Sequence, residues 1–155
     1  MRRNERAITD PDKIEALIAG NQILRVAFYD DGEIYIVPVN YGYTCQDGTY
    51  TFYFHGAKAG RKYELSQTGP KVGFELDSDY RLMEGEIACQ YSAAYASVIG
   101  TGKIQLLESP EEKKQGLNAV MRQTTGKDAW EYSDASLQAV AVFRLEVEAL
   151  SCKAH

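Results

Sequence analysis

The sequence has few of the residues that hold metal ions in proteins. It contains two histidines and three cysteines among 155 residues. Cys45, Cys89 and Cys152 stand far apart, and no pair has the close spacing that zinc sites use. The pattern therefore excludes a zinc motif and predicts no bound metal. An odd number of cysteines that stand far apart also fits a reducing compartment, so we expect a cytoplasmic protein.

Long apolar runs and an excess of basic charge are absent too. No stretch approaches the about 20 apolar residues that a membrane-spanning helix needs. The sequence starts Met-Arg-Arg-Asn-Glu-Arg with no apolar segment behind it, so we expect neither a signal peptide nor a membrane span. The net charge of −5 gives no general basic surface, which argues against a nucleic acid as partner.

Strand-forming residues are what the composition offers instead, with 11 tyrosines and many valines and isoleucines. Hairpin turns are predicted at Asp30-Asp31-Gly32 and at Gln46-Asp47-Gly48. Short helices are predicted after Asp10-Pro11 and after Ser109-Pro110, where a capping residue precedes a proline. The pattern favours one domain over residues 1–155, an antiparallel barrel of about six strands with few helices.

The order of elements follows from periodicity and turn residues. Pro38 cannot donate a backbone hydrogen bond, so the second strand should lie at a sheet edge or carry a bulge there. Residues 78–90 are predicted to be irregular, residues 111–114 to form a solvated helix face, and the region of Ser133 to be a turn. The predicted strands are residues 22–29, 33–43, 50–55, 71–77, 91–107 and 140–150.

The segment of residues 50–62 organises the chain. Phe52 and Phe54 share one face of a strand, and His55 lies on the other face. After a turn at Gly56, a helix is predicted over residues 58–67, with three cations near its start. A helix N-terminus favours anions, so cations there indicate that a phosphate binds. The alternative is a solvated basic turn, and the spacing is not that of a P-loop.

Three segments, in this order, resemble the FMN-binding split-barrel flavoproteins. They are residues 37–43 (VPVNYGY), residues 52–62 (FYFHGAKAGRK), and Cys89 followed by residues 95–102 (YASVIGTG). The sequence is most similar to the pyridoxamine 5′-phosphate oxidase-like proteins, which include the 5-nitroimidazole resistance proteins. The resemblance implies a mainly β (α+β) fold, a six-stranded antiparallel Greek-key split barrel with a few short helices, a homodimer, and FMN at the dimer interface.

The resemblance also implies which residues contact FMN. His55 faces the flavin pocket and is the catalytic candidate, as a substrate contact or proton donor, although a structural role is the alternative. Trp130 caps the flavin of the partner subunit or anchors the dimer. The implied phosphate site comprises Lys58, Arg61 and Lys62. Ser97 and Val98, on a later strand, are implied as contacts beside it. The strand along the isoalloxazine edge comprises Val37, Pro38, Val39, Asn40 and Tyr41.

Two departures from the family leave the substrate class open: Gly56 stands where a serine is frequent, and alanines at 94 and 96 stand where basic residues are common. The predicted function is an FMN-dependent oxidoreductase that takes electrons from NAD(P)H or another donor. Its substrate is small and planar, with a nitroaromatic such as a 5-nitroimidazole as the family-based candidate. The alternative is a barrel that binds flavin or haem for storage or sensing. Oxidation of pyridoxamine phosphate needs a second phosphate site, and only one basic cluster is evident.

Overall fold

The computed structural model describes residues 4–155 as eight strands and four α-helices. Residues 1–3, on which the expectation about a signal peptide partly rests, lie outside the described residues. None of the described helices is both long and apolar enough to cross a membrane. The strands are β1 (Ala7–Ile8), β2 (Ile23–Asp30), β3 (Glu33–Asn40), β4 (Gly42–Gln46), β5 (Thr49–Ala57), β6 (Lys71–Met83), β7 (Ser92–Leu107) and β8 (Val140–Ala154). The helices are α1 (Pro11–Gly20), α2 (Arg61–Ser66), α3 (Pro110–Thr125) and α4 (Asp134–Ala139).

The strands form one antiparallel sheet in the order β3-β2-β6-β7-β8-β5-β4, with β1 paired to β8. Strands β3 and β4 lie at opposite ends of this order, yet only Tyr41 separates them in the chain. The sheet must therefore curl until its two edges meet, and β3 contacts β5 across the gap. This is a split barrel, as the sequence predicts, with eight strands rather than six.

Tyr41 explains why one predicted strand becomes two. Its side chain is buried, its hydroxyl donates to the carbonyl of Ile18 in α1, and its ring lies edge-on to Phe52 at 5.4 Å. The next residue, Gly42, lies directly under α3, where an added Cβ would be 2.0 Å from the Ala119 carbonyl carbon. The insertion of the Tyr41 ring into the core and the close contact of Gly42 with α3 together end β3 and start β4.

The barrel interior is filled by the inward side chains of alternating strand positions. Phe52 and Phe54 of β5 are fully buried, as predicted, and Phe54 stacks on Phe143 with ring centroids 4.9 Å apart. Aromatic pairs of this kind add to the burial of apolar area. The other largest buried side chains are Tyr41, Phe28, Ile18, Leu24, Leu76, Ile104, Leu145, Val26 and Val98.

Three predicted boundaries were wrong. Residues 78–83, predicted to be irregular, continue β6 past a register shift between Ser78 and Arg81. The predicted turn near Ser133 is the start of α4, because the Ser133 hydroxyl accepts from the backbone N–H of Ser136 at 3.2 Å. The helix predicted from Lys58 begins at Arg61, preceded by Gly60 at φ 87°, a conformation that favours glycine.

Candidate functional site

Strand β3 supplies a free backbone edge. It pairs only with β2 in the described sheet, so the predicted edge position of Pro38 is confirmed. The register is continuous, with Pro38 opposite Arg25, so there is no bulge. Inward residues Val37 and Val39 are at least half-buried, whereas Pro38 and Asn40 point outward and are exposed. The outer backbone groups of β3 are therefore available to a ligand or another chain.

Arg61, the first residue of α2, contacts the β2–β3 hairpin. Its Nη2 lies 2.8 Å from a carboxylate oxygen of Asp30 and 3.1 Å from one of Glu33. The guanidinium carbon is 5.0 Å from the centroid of the Tyr35 ring. The hydrogen bonds that Arg61 donates, first to Asp30 and then to Glu33, raise the pKa of Arg61. In this state, two carboxylates of the same chain engage the Arg61 charge that the sequence assigns to a phosphate.

Lys62 follows Arg61 in the chain, but its side chain lies over the rings of Phe54 and Phe143. Its Nζ donates to the carbonyl of His55 at 3.4 Å and lies 5.1 Å from the centroid of the Phe143 ring. A second ring, Phe54, is 5.5 Å away. Partial burial lowers the pKa of Lys62. A Cβ at Gly56 would lie only 3.0 Å from this ammonium, so the glycine lets Lys62 approach the backbone of β5 closely.

His55 points outward from β5 and lies opposite Val142 of β8. The side chain is exposed, although the surrounding protein still desolvates the ring. Desolvation is the largest cause that lowers the pKa of His55, and the Lys62 ammonium is the second. A lowered pKa keeps the imidazole neutral at pH 7, with one nitrogen that donates and one that accepts.

Lys58 is not brought together with the other two cations. It precedes α2 and lines a cavity with Glu108 and Lys113, on the side of the barrel where α3 and α4 begin. Arg61, in contrast, faces the β2–β3 hairpin, and Lys62 faces the stacked rings of Phe54 and Phe143. The three cations are close together in the sequence, but in the structure Lys58 points in a different direction from Arg61 and Lys62.

Lys113 is a residue that the sequence analysis misplaced. Residues 111–114 were expected on a solvated helix face, but Lys113 is 5% exposed. Its ammonium donates to the carbonyls of Leu137 at 2.7 Å and Val140 at 3.0 Å. Helical spacing could have indicated this, since Lys113 shares one face of α3 with the buried Gly116 and Val120.

The remaining predicted contacts differ in how a ligand could reach them. Trp130 is 37% exposed, and its indole N–H donates to the Lys127 carbonyl at 3.1 Å, within the segment between α3 and α4. Ser97 is half-buried on β7, and Asn40 donates to the Gln22 carbonyl at 3.3 Å. Three further side chains are buried in the core, so only their backbone could touch a cofactor: Val39, Tyr41 and Val98.

The outer sheet surface beside β3 is unusually apolar. Ile34 is 65% and Ile36 59% exposed, and Ala27 and Gly73 lie next to Ile36 in a shallow depression. Ile99 continues this surface on β7 and is also exposed. We refer to Ala27, Ile34, Ile36, Gly73 and Ile99 as the outer apolar face. A contiguous exposed apolar surface of this kind marks an interaction site.

The residues present fit a phosphate-bearing planar cofactor. Lys62 has no ion pair among the described residues, and exposed ion pairs such as those of Arg61 are weak because water and salt screen them. The free edge of β3 offers backbone groups to the rim of a ring. Arg61 brings the two features together, because it contacts Glu33 and Tyr35 of β3.

Comparison with known proteins gives a family match over nearly the whole chain. Residues 10–154 match the family model described as pyridoxamine 5′-phosphate oxidase. A solved structure from Bacteroides thetaiotaomicron, of a protein proposed to confer 5-nitroimidazole antibiotic resistance, is 32% identical. It superposes with a TM-score of 0.81 over 96% of this chain and 86% of its own.

More distant structures support the fold alone. The FAD and haem binding protein from Mycobacterium smegmatis has a TM-score of 0.83 at 16% identity, over 96% of this chain and 73% of its own. The flavocytochrome Anf3 from Azotobacter vinelandii has a TM-score of 0.82 at 18% identity, over 100% of this chain and 72% of its own. Among curated protein sequences, none matches this chain significantly.

Proposed function

Because the chain belongs to the pyridoxamine 5′-phosphate oxidase family, we propose that it is an FMN-dependent oxidoreductase that reduces a small planar substrate. The observation that carries this proposal is the placement of Arg61 and Lys62 at the start of α2, beside the free edge of β3. A nitroaromatic is the proposed substrate class, since the 32% identical relative is described in connection with 5-nitroimidazole resistance.

Arg61 and Lys62 hold the phosphate in this proposal. Lys62 has no carboxylate partner to displace among the described residues, whereas Arg61 must exchange the carboxylates of Asp30 and Glu33 for phosphate oxygens. The exchange is feasible because both ion pairs are exposed and therefore weakened by solvent. A guanidinium binds a phosphate through two parallel N–H groups, which favours the new partner. Ser97 and the backbone of Val98 are proposed as further contacts, whereas Lys58, which lines a different cavity, is left out of this phosphate site.

Strand β3 positions the ring of the cofactor. The proposed contact runs along the strand and its continuation, Val37, Pro38, Val39, Asn40 and Tyr41. The buried side chains of Val39 and Tyr41 fix the strand from inside, while outward backbone groups face the ligand. Pro38 has no N–H, so it presents only a carbonyl there. The strand therefore orients the ring through backbone groups that its own sheet does not use.

The chain contributes positioning and a neutral imidazole rather than covalent chemistry. The chemistry that a bound flavin supplies is two-electron transfer from a reductant to a substrate. The lowered pKa of His55 keeps its ring neutral at neutral pH, so its N–H can donate a hydrogen bond to a substrate, whereas a transferred proton must come from water or from the imidazolium form. NAD(P)H or another soluble donor is the proposed reductant, in a cytoplasmic setting.

A homodimer completes the proposal. The outer apolar face lies next to the edge of β3, so a second copy that covers it would also enclose the ring site. Burial of exposed isoleucines provides the driving force, at about 25 cal/mol per Å² of apolar surface. Trp130 is proposed either to cap the flavin of the partner subunit or to anchor the two subunits.

A second candidate function is binding of flavin or haem without turnover. It is favoured by the scarcity of free acid–base groups among the described residues around β3 and α2. The carboxylates of Asp30 and Glu33 are engaged by Arg61, while those of Asp31 and Glu64 lie on the exposed surface of the turn and of α2. A carrier or sensor needs no proton donor, whereas a reductase depends on one or on water.

The two candidates are separated by a reduction experiment on the purified protein. The protein is loaded with FMN, and its visible absorbance is followed under nitrogen while NADH or NADPH is added. A reductase loses the flavin absorbance within the reaction time and regains it when a 5-nitroimidazole is added. Free FMN at the same concentration is the control for direct reaction with the nucleotide.

Three outcomes decide the proposal. Bleaching followed by recovery with the nitroaromatic supports the reductase. Stable FMN binding without bleaching by NADH, NADPH or a chemical reductant of lower potential favours the binding protein. A protein that binds neither FMN nor riboflavin above the background of denatured protein overturns both candidates for flavin.

A further inference from the structure

Lys113 is a buried ammonium whose hydrogen bonds go to neutral backbone carbonyls. Two of its three N–H groups donate to the carbonyls of Leu137 and Val140. Within residues 4–155, no carboxylate lies within ion-pair distance of Lys113. Burial of a charge without a counter-charge is costly, and backbone carbonyls compensate this cost only in part.

Lys58 brings a second positive charge to the same place. Two adjoining cavities of about 240 and 220 Å³ share Lys58, Glu108 and Lys113 in their linings. Burial lowers the pKa of Lys113 most, the Lys58 ammonium lowers it further, and the Glu108 carboxylate opposes this more weakly. At Lys113 itself, the second ammonium therefore outweighs the nearby Glu108 carboxylate.

The rest of the lining suits a small organic molecule with one charged end. Leu106, Leu107 and Ala141 form an apolar part of one cavity, next to Tyr63 and Gln67. The other cavity adds Pro110 and Leu137, with Asp134 and Gln138. Two cations at the junction, with apolar groups and amides around them, match an oxyanion on a small carbon skeleton.

We propose that Lys58 and Lys113 form a second anion-binding site, which takes the phosphate or carboxylate group of a small molecule. The third N–H of Lys113 and the mobile ammonium of Lys58 are the donors. A bound oxyanion supplies the missing counter-charge to both. Charge-assisted hydrogen bonds to an oxyanion are about twice as strong as neutral ones, and more so where water is excluded.

This site is separate from the proposed flavin phosphate site. Arg61 and Lys62 face Asp30, Glu33 and the aromatic pair, and neither contributes to the two cavities. The proposal therefore does not depend on flavin binding, and it can fail while the proposed function holds.

An NMR titration of the whole protein tests the site. Backbone amide shifts are followed while sodium phosphate, and in a second arm sodium acetate, replaces chloride at constant ionic strength. We expect saturable shifts at residues 58, 108, 113 and 137. Lys58→Met, an exposed position that leaves the core intact, should weaken binding by about 10-fold or more, as expected for one charge-assisted hydrogen bond. Lys114→Met, the exposed neighbour on α3, should change it less than about twofold.

The other variants locate the response. Arg61→Ala with Lys62→Ala should leave these shifts in place, since both residues lie outside the cavities. Lys113→Met, checked for a native melting curve, should abolish them. Response to one anion only assigns the ligand class within the proposal. Absence of saturable shifts with both anions, equal affinity in Lys58→Met, or loss of the shifts in the Arg61/Lys62 double variant would each overturn it.

Discussion

Lys62 is the residue where charge, partial burial and aromatic contact coincide. Its ammonium lies over the stacked Phe54 and Phe143 rings, a contact that contributes about 0.5–2 kcal/mol depending on desolvation. The rings hold the ammonium against the backbone of β5, next to Gly56 and the His55 carbonyl. The cation is thereby positioned before any ligand arrives, which reduces the entropy lost on binding.

Removal of the two α2 cations tests the phosphate assignment. Arg61→Ala with Lys62→Ala should weaken FMN binding by about 100-fold or more, because two charge-assisted hydrogen bonds to the phosphate are lost. Riboflavin, which lacks the phosphate, should lose much less. Fluorescence quenching titrations with both ligands measure the difference. The double variant Lys114→Ala with Lys127→Ala, which removes equal charge from exposed positions, is the control, and equal FMN affinity in both double variants would refute the assignment.

Residue identity predicted the location of the basic cluster but not the direction of its side chains. The segment of residues 58–62 was singled out because cations at a helix start need an anionic partner. The carboxylates that engage Arg61 come from the β2–β3 hairpin, about thirty residues earlier in the chain. Such a contact depends on how the barrel curls, which local patterns do not specify.

Helix α3 is held unusually close to the sheet. The Gly42 position of β4 lies against the backbone of Ala119, with no room for a Cβ. Close contact of this kind lets α3 cover the barrel over β4, β5 and β8. The same helix carries Lys113, so its distance from the sheet also sets where that ammonium lies relative to α4.

Gly42→Ala tests this close packing. The added methyl group should force α3 away from β4 and lower the free energy of unfolding by about 3 kcal/mol, at the upper end of the overpacking range. Gly20→Ala is the matched control, because a Cβ at the end of α1 meets nothing within 4 Å. Chemical denaturation of both variants measures the effect. A Gly42→Ala protein as stable as Gly20→Ala would show that α3 moves away at little cost.

Elements with strong local signals were predicted correctly. The Asp31-Gly32 and Asp47-Gly48 turns have the positive φ values that such hairpins require, and Ser109-Pro110 starts α3 with the Ser109 hydroxyl as cap. The extension of β6 to Met83 was missed because its outward residues are apolar and exposed, without the usual alternation. There, pairing with β7 rather than burial maintains the strand.

At the scale of the whole molecule, the outer apolar face dominates the surface beside the candidate site. Isoleucines that point outward from β3 and β7 contribute nothing to the barrel interior. An ion-paired patch of Arg25 with Glu75 and Asp77 adjoins them. An apolar centre beside polar groups is the composition of a protein–protein interface, which is consistent with the proposed homodimer.

Ile36→Glu tests the dimer. A carboxylate at the centre of the outer apolar face should shift the protein from dimer to monomer, since it would be buried without a partner. Sedimentation velocity across a concentration series measures the change in mass. Ala135→Glu adds the same charge on the exposed surface of α4 and should leave the mass unchanged. A wild-type protein that sediments as a monomer at all concentrations would contradict the proposal directly.

The one-residue connection at Tyr41 has a mechanical consequence for ligand entry. Tyr41 connects the two edge strands β3 and β4, and its ring is anchored in the core, so these edges cannot separate at that end unless the ring leaves the interior. A planar molecule that binds along β3 would therefore approach from the free flank of this strand.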